Sequence, residues 1–216
     1  MLARLEASPI LGVEDETSTV KGCGSMACTL ETKSGRPRQY RFTGVPSFVS
    51  SEAGLAASAL DELRERVIDQ IEDLPQAALS FVPERLTFSI SSLVIHMVWA
   101  EMGWIERLAN VTAPSAWHEL LDAGGRAIAT GTNVVVDLDA DALIALCRQV
   151  RAELTVPSLA KVANLDAAIN DEGGSATPRG ILMHVIWHWT YHSGQVGLLR
   201  ELWGAKYRWT FGSLGR

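Results

Sequence analysis

Residues 177–202, TPRGILMHVIWHWTYHSGQVGLLREL, leave room for little besides one long helix. Thr177 offers a hydroxyl to cap the first turn, and Pro178 suits the first helical position, where no N–H is needed. Apolar residues then recur round most of the helix, so the segment belongs inside a larger assembly of helices. Three histidines interrupt that surface at four-residue spacing, His184, His188 and His192, and Gln195 continues their stripe. At about 100° per residue such positions drift slowly round the axis and stack about 6 Å apart. Buried imidazoles need partners, and a pair at i and i+4 is a common way for a helix to offer two nitrogens to one metal ion.

The remaining pattern supplies the other helices of a bundle. Residues 51–74 carry Leu60, Leu63, Val67, Ile71 and Leu74 on one face, with Ser50 or Ser51 as cap and Pro75 as stop. Residues 90–109 follow Ser89 as cap and bury Leu93, Met97, Ala100, Trp104 and Leu108, with His96 inside that stripe. A third helix runs from Asp139 as cap to Leu154, burying Leu143, Leu146, Val150 and Leu154. Between these, residues 111–138 contain Pro114, Gly124, Gly125 and Gly131 and predict an irregular excursion with a short helix over 117–123. Residues 157–176 predict a loop rich in small side chains. Upstream, MACTLETK and RQYRFTG flank Ser34-Gly35 and predict a β-hairpin. The expected fold is mainly α, a four-helix bundle over residues 47–216, preceded by an extension over 1–46 that holds the small hairpin.

Composition narrows the function. With 216 residues, a net charge of −6 and a pI near 5.4, the chain lacks the clustered Lys and Arg of a nucleic-acid or anionic-membrane surface. No apolar run approaches a membrane span, and charge and Pro9 break the N-terminal apolar stretches, so no secretory leader is expected. Three cysteines in such a chain point to reduced thiols in the cytoplasm. Cys23 and Cys28 have no nearby partners to complete a zinc knuckle and are read as free thiols. There is no Gly-rich phosphate loop after a strand and no G-x-S-x-G elbow. Trp189 stands where an H-E-x-x-H protease keeps its general base, which excludes that mechanism.

Four of the five histidines, His96, His184, His188 and His192, fall on faces expected to be buried, while His118 falls in the excursion and is expected at the surface. Periodicity alone leaves two readings open, a metal site and a polar stripe satisfied within the core. His96 is the natural third ligand beside an i, i+4 pair, with His184 either a fourth ligand or a partner to one.

The segment SISSLVIHMVWAEMGWIERL, followed about 90 residues later by the histidine helix, resembles the DinB/YfiT-like family of four-helix-bundle metalloproteins over residues 50–205. That resemblance implies His96, His188 and His192 as metal ligands, Gly194-Gln195 in the step that follows the ligand pair, and His184 as a packing residue beside them. It implies a divalent transition metal, zinc or nickel foremost and iron as well. It implies a transferase that activates a low-molecular-weight thiol on the metal, with a hydrolase using metal-bound water or a non-catalytic metal- or ligand-binding bundle as alternatives. Glu101 lies about 140° round its helix from His96 and is expected to face a neighbouring helix or solvent. The small-molecule substrate is expected to be chosen by residues 111–138 and by Trp99, Trp104, Trp187 and Tyr191. Trp187 and Trp189 lie about 200° apart, so one of them must point away from the core. A homodimer is expected to cover it, with the N-terminal extension as the competing cover.

Overall fold

The computed structural model describes residues 32–38, 42–132 and 136–210. In chain order these form strand β1 (Lys33–Ser34), helices α1 (Ser51–Ile71), α2 (Gln76–Leu79), α3 (Ile90–Ala109), α4 (Ser115–Thr130) and α5 (Ala140–Val150), a π-helical turn (Arg151–Thr155) and α6 (Val156–Leu159). Strands β2 (Ile169–Asp171) and β3 (Gly174–Ala176), helix α7 (Pro178–Trp203) and strand β4 (Tyr207–Arg208) follow. The bundle consists of α1, α3, the α5–α6 run and α7. Helix α7 packs on α1 and α3, and the α5–α6 run packs on α3 and α1, while α4 lies against α3.

Local chemistry sets the helix starts. Ser50 accepts from the Ala53 N–H at 3.3 Å, Asp139 from Ala142 at 2.8 Å and Thr177 from Gly180 at 3.1 Å. Ser89 and Ser92 form a reciprocal capping box at the start of α3. Helix α3 spans the residues expected of it and ends at Asn110, whose left-handed φ of 52° closes the helix. Helix α1 stops at Ile71, one turn before the expected Leu74. The core is filled by the anticipated faces of the first three bundle helices, Leu60, Val67 and Ile71, Leu93 and Met97, and Leu143 and Val150, together with Ile181, Val185 and Val196 of α7, all of them buried. Each such side chain contributes about 1.5–3 kcal/mol by leaving water.

The excursion is more regular than its glycines suggested. Helix α4 spans 16 residues and runs through Gly124 and Gly125 to a left-handed cap at Gly131, φ 68°. A mid-helix glycine costs roughly 0.5–1 kcal/mol relative to alanine, and the compensation here is tertiary, since both glycines sit against α3. His118 therefore lies on a helix, part-exposed, with Nε2 2.9 Å from Glu106 Oε1. The third bundle helix also departs from expectation, because it widens into the π-helical turn and continues through Pro157 to Leu159. That turn carries Thr155 inward, where its hydroxyl donates to buried Glu101. The loop expected over 157–176 contains the antiparallel β2–β3 hairpin, whose Asp171 is gripped by both arms of Arg107 at 2.8 Å each.

At the other end of the chain, Ser34, expected at the turn of a hairpin, lies in β1. This strand pairs in parallel with β4, Lys33 opposite Tyr207 and Ser34 opposite Arg208. Residues 1–31 and 39–41, which hold most of the expected hairpin together with Cys23 and Cys28, lie outside the described residues. Among the described residues, no helix is long and apolar enough to cross a membrane.

Candidate metal centre

Helices α3 and α7 pack together and bring His96 to the pair on α7. One ligand-capable nitrogen from each of His96, His188 and His192 lies within 4.8 Å of the other two. Nε2 of His96 and Nε2 of His188 are 3.1 Å apart. Ring centroids are 4.9 Å apart for His96 and His188, 4.9 Å for His96 and His192, and 4.4 Å for His188 and His192. His96 and His192 are each 7% exposed, so water does little to satisfy these two rings.

Hydrogen bonds decide which nitrogens are free. Nδ1 of His96 lies 2.7 Å from the Gly125 carbonyl oxygen, an acceptor only, so this nitrogen carries the proton and Nε2 keeps its lone pair. Nδ1 of His192 likewise lies 2.6 Å from Oε1 of Gln195. Gln195, on the stripe read from the sequence, is thus the side chain that orients His192. Nδ1 of His188 is buried and has no partner among the described residues. Burial lowers the pKa of all three rings, against the opposing pull of these hydrogen bonds at His96 and His192. For His188, burial and the neighbouring His192, His96 and His184 push it down to about 3. At neutral pH the cluster therefore presents neutral imidazoles.

This arrangement fits a metal ion. Bonds of about 2.0–2.1 Å to a tetrahedral ion place ligand atoms about 3.3 Å apart, close to the 3.1 Å between the two Nε2 atoms. Three neutral imidazoles suit zinc, nickel, iron or copper, and three protein ligands leave a coordination position open for chemistry.

The surrounding residues fall into place around the cluster. His184 lies beside it and not within it, its ring 4.8 Å from Trp104 and 5.9 Å from His188. Glu101 faces the bundle interior, 2.6 Å from Arg64 Nη2, and so is committed elsewhere. Of the two tryptophans on α7, Trp189 is buried at 1% exposure under the Arg64 guanidinium, whereas Trp187 is 59% exposed and stacks on Tyr191. Trp99 lies against His96 with ring centroids 5.9 Å apart. Gly125 counts in the sequence only as one of the glycines of the excursion, with no role at the site. A glycine pair inside an otherwise amphipathic 115–130 pattern was the available signal for a close helix contact.

Comparison with the curated proteins finds no match. Among solved structures, a conserved protein from Enterococcus faecalis is similar at 20% identity and a TM-score of 0.49, over 68% of this chain and 94% of that one. Residues 56–204, which contain all three histidines and the helices that carry them, match the family model described as Mycothiol-S-transferase. The chain belongs to the mycothiol S-transferase family.

Proposed function

We propose that this protein is a cytoplasmic, metal-dependent S-transferase in which His96, His188 and His192 hold a divalent transition metal, zinc or nickel foremost. The co-substrate is a low-molecular-weight thiol, mycothiol being the one its family is named for. The observation that carries the reading is the convergence of three neutral imidazole nitrogens within 4.8 Å in a chain of this family. A divalent ion in such a site supplies Lewis acidity, which lowers the pKa of a thiol so that the thiolate is available at neutral pH.

The chain's own residues supply the rest. Gly125 and Gln195 hold two ligand rings with their Nε2 atoms directed inward. Burial keeps bulk water from competing for those nitrogens. Trp104 and His184, their ring centroids 4.8 Å apart and His184 5.9 Å from His188, flank the ligands and offer a wall against which an electrophile can lie. In the transfer the thiol sulfur forms a bond to the electrophilic atom, the leaving group departs with its electron pair, and the thiol proton passes to solvent.

Thiol transfer is preferred over hydrolysis because water attack depends more on a protein base. Among the described residues, no carboxylate joins the histidine cluster. The test is turnover of simple thiols with a chromogenic electrophile, set against ester and amide hydrolysis, by protein loaded with zinc or nickel. Thiol conjugation lost on chelation and restored by metal supports the proposal. Hydrolysis alone, or activity indifferent to metal, refutes it.

Pairing into a homodimer belongs to the same reading. Met183, Trp187, Tyr191, Leu198 and Leu202 are each more than half exposed and recur along one side of α7. Such a stripe is larger than isolated surface apolar residues require.

A further inference from the structure

The carbonyl that receives His96 comes from α4, outside the two helices that carry the three rings. It reaches His96 because the facing stretch of α4 has no side chains. A Cβ on Gly125 would lie 2.2 Å from Cγ of Trp99, and one on Gly124 would lie 2.8 Å from Cγ2 of Ile95. Both distances are too short for real carbon contacts, so the glycine pair sets how closely α4 can approach α3. Trp99 fixes the remaining freedom. Its indole N–H donates to Oδ1 of Asp122 at 3.0 Å, three residues before Gly125 on the same helix. The face of the same indole lies along His96, the two planes 29° apart.

The three ligands are thus held unequally. His192 is oriented from within α7 by Gln195, three residues further on, and His188 Nδ1 has no partner among the described residues. His96 alone depends on a backbone atom 29 residues away on another helix. If α4 moved outward, Nδ1 of His96 would lose its acceptor and the ring would be free to exchange tautomers, which would remove the Nε2 lone pair from the cluster.

We propose that Trp99, Asp122 and Gly125 form a positioning device that holds α4 at the distance where the Gly125 carbonyl fixes His96 in the Nδ1–H tautomer, and that metal affinity depends on it. This inference rests on the reading of His96, His188 and His192 as a metal centre. The three residues act through His96, and none of them belongs to the cluster of His96, His188 and His192.

The experiment combines zinc affinity by chelator competition with the His96 tautomer in the metal-free protein, read from long-range ¹⁵N–¹H NMR correlations. Thermal melts serve as the control for folding. Wild type is expected to show the Nδ1–H tautomer. Gly125→Ala is expected to bind zinc about 10- to 100-fold more weakly, the usual effect of removing a partner behind a metal ligand, and to show His96 as a mixture of tautomers. Trp99→Phe, which keeps a ring against Gly125 and loses the bond to Asp122, should shift both readouts in the same direction by less, and Asp122→Ala should match it. Because these two variants add no volume, they carry the test if Gly125→Ala does not fold. Wild-type affinity and tautomer in both would overturn the inference. An Nε2–H tautomer at His96 in wild type would overturn it alone, whereas a wild-type protein that binds no zinc would overturn the metal reading beneath it as well.

Discussion

Glu101 lies in the same helical stretch as His96, and a carboxylate five residues from a candidate metal ligand invites a catalytic reading. The structure assigns it a different role, and Glu101→Ala separates the two. The Glu101 and Arg64 side chains are 1% and 2% exposed and 2.6 Å apart, and the Thr155 hydroxyl also donates to Glu101. Removing one partner of a buried pair leaves the other charge without compensation, at about 3–5 kcal/mol. Arg64 keeps Asp61 Oδ1 at 2.9 Å and still lies over Trp189, so the lower end applies, about 3 kcal/mol. For a chain of this size that is a fall in Tm of about 6–12 °C. The assay is urea and thermal unfolding of the metal-free variant beside a zinc titration of the same sample. The expected result is a marked loss of stability with the zinc stoichiometry unchanged. Arg64→Met combined with Glu101→Leu should recover most of the loss, since an apolar pair of similar size removes the stranded charge. A Glu101→Ala protein of wild-type stability that has lost activity would refute this reasoning and make Glu101 a participant in the chemistry.

Other outcomes follow from the site and its surroundings. His96→Ala, His188→Ala and His192→Ala should each abolish tight metal binding in a titration, while His184→Ala, whose ring packs on Trp104 outside the cluster, should retain it with modest weakening. The folded pKa values of His96, His188 and His192 lie below the unfolded value, so the stability linked to these rings is fully present above about pH 6.5. It is lost as pH falls through the folded values, down to about 3 for His188. Denaturant melts of the metal-free protein should therefore weaken from pH 6.5 downward, and His188→Ala should flatten that slope; an unchanged slope would count against burial of a neutral ring there. Light scattering should report a homodimer for the full chain, and Trp187→Glu should shift it towards monomer. A monomer that associates only when truncated to begin near Ser47 would instead make the N-terminal extension the cover.

What the sequence disclosed and what it hid divide by the range of the interactions. The starts of α1, α3, α5 and α7 were legible because Ser50, Ser89, Asp139 and Thr177 bond to N–H groups three residues away. The two ligand candidates on α7 followed from four-residue spacing, and His96 from its place in an apolar stripe. The full length of α4 is hidden in the sequence because Gly124 and Gly125 are poor helix formers by themselves, and the α3 surface they meet is distant in the chain. The hairpin of β2 and β3 is held by Arg107, 64 residues from Asp171, and β1 pairs with a strand near the other end of the chain. No local pattern announces such contacts. The π-helical turn likewise follows from tertiary demands, since it places Thr155 against a glutamate on α3.

The central claim is that three imidazoles hold one metal ion in the native protein. It is tested most directly by elemental analysis of untagged protein never exposed to a nickel column, with melts before and after chelation. A ligand that binds only the native state must raise its stability. The account predicts close to one equivalent of a divalent transition metal and a Tm that falls on chelation and recovers on adding the metal back. Less than half an equivalent, with a Tm unchanged by chelation, would contradict it and leave His96, His188 and His192 as a polar cluster of the core.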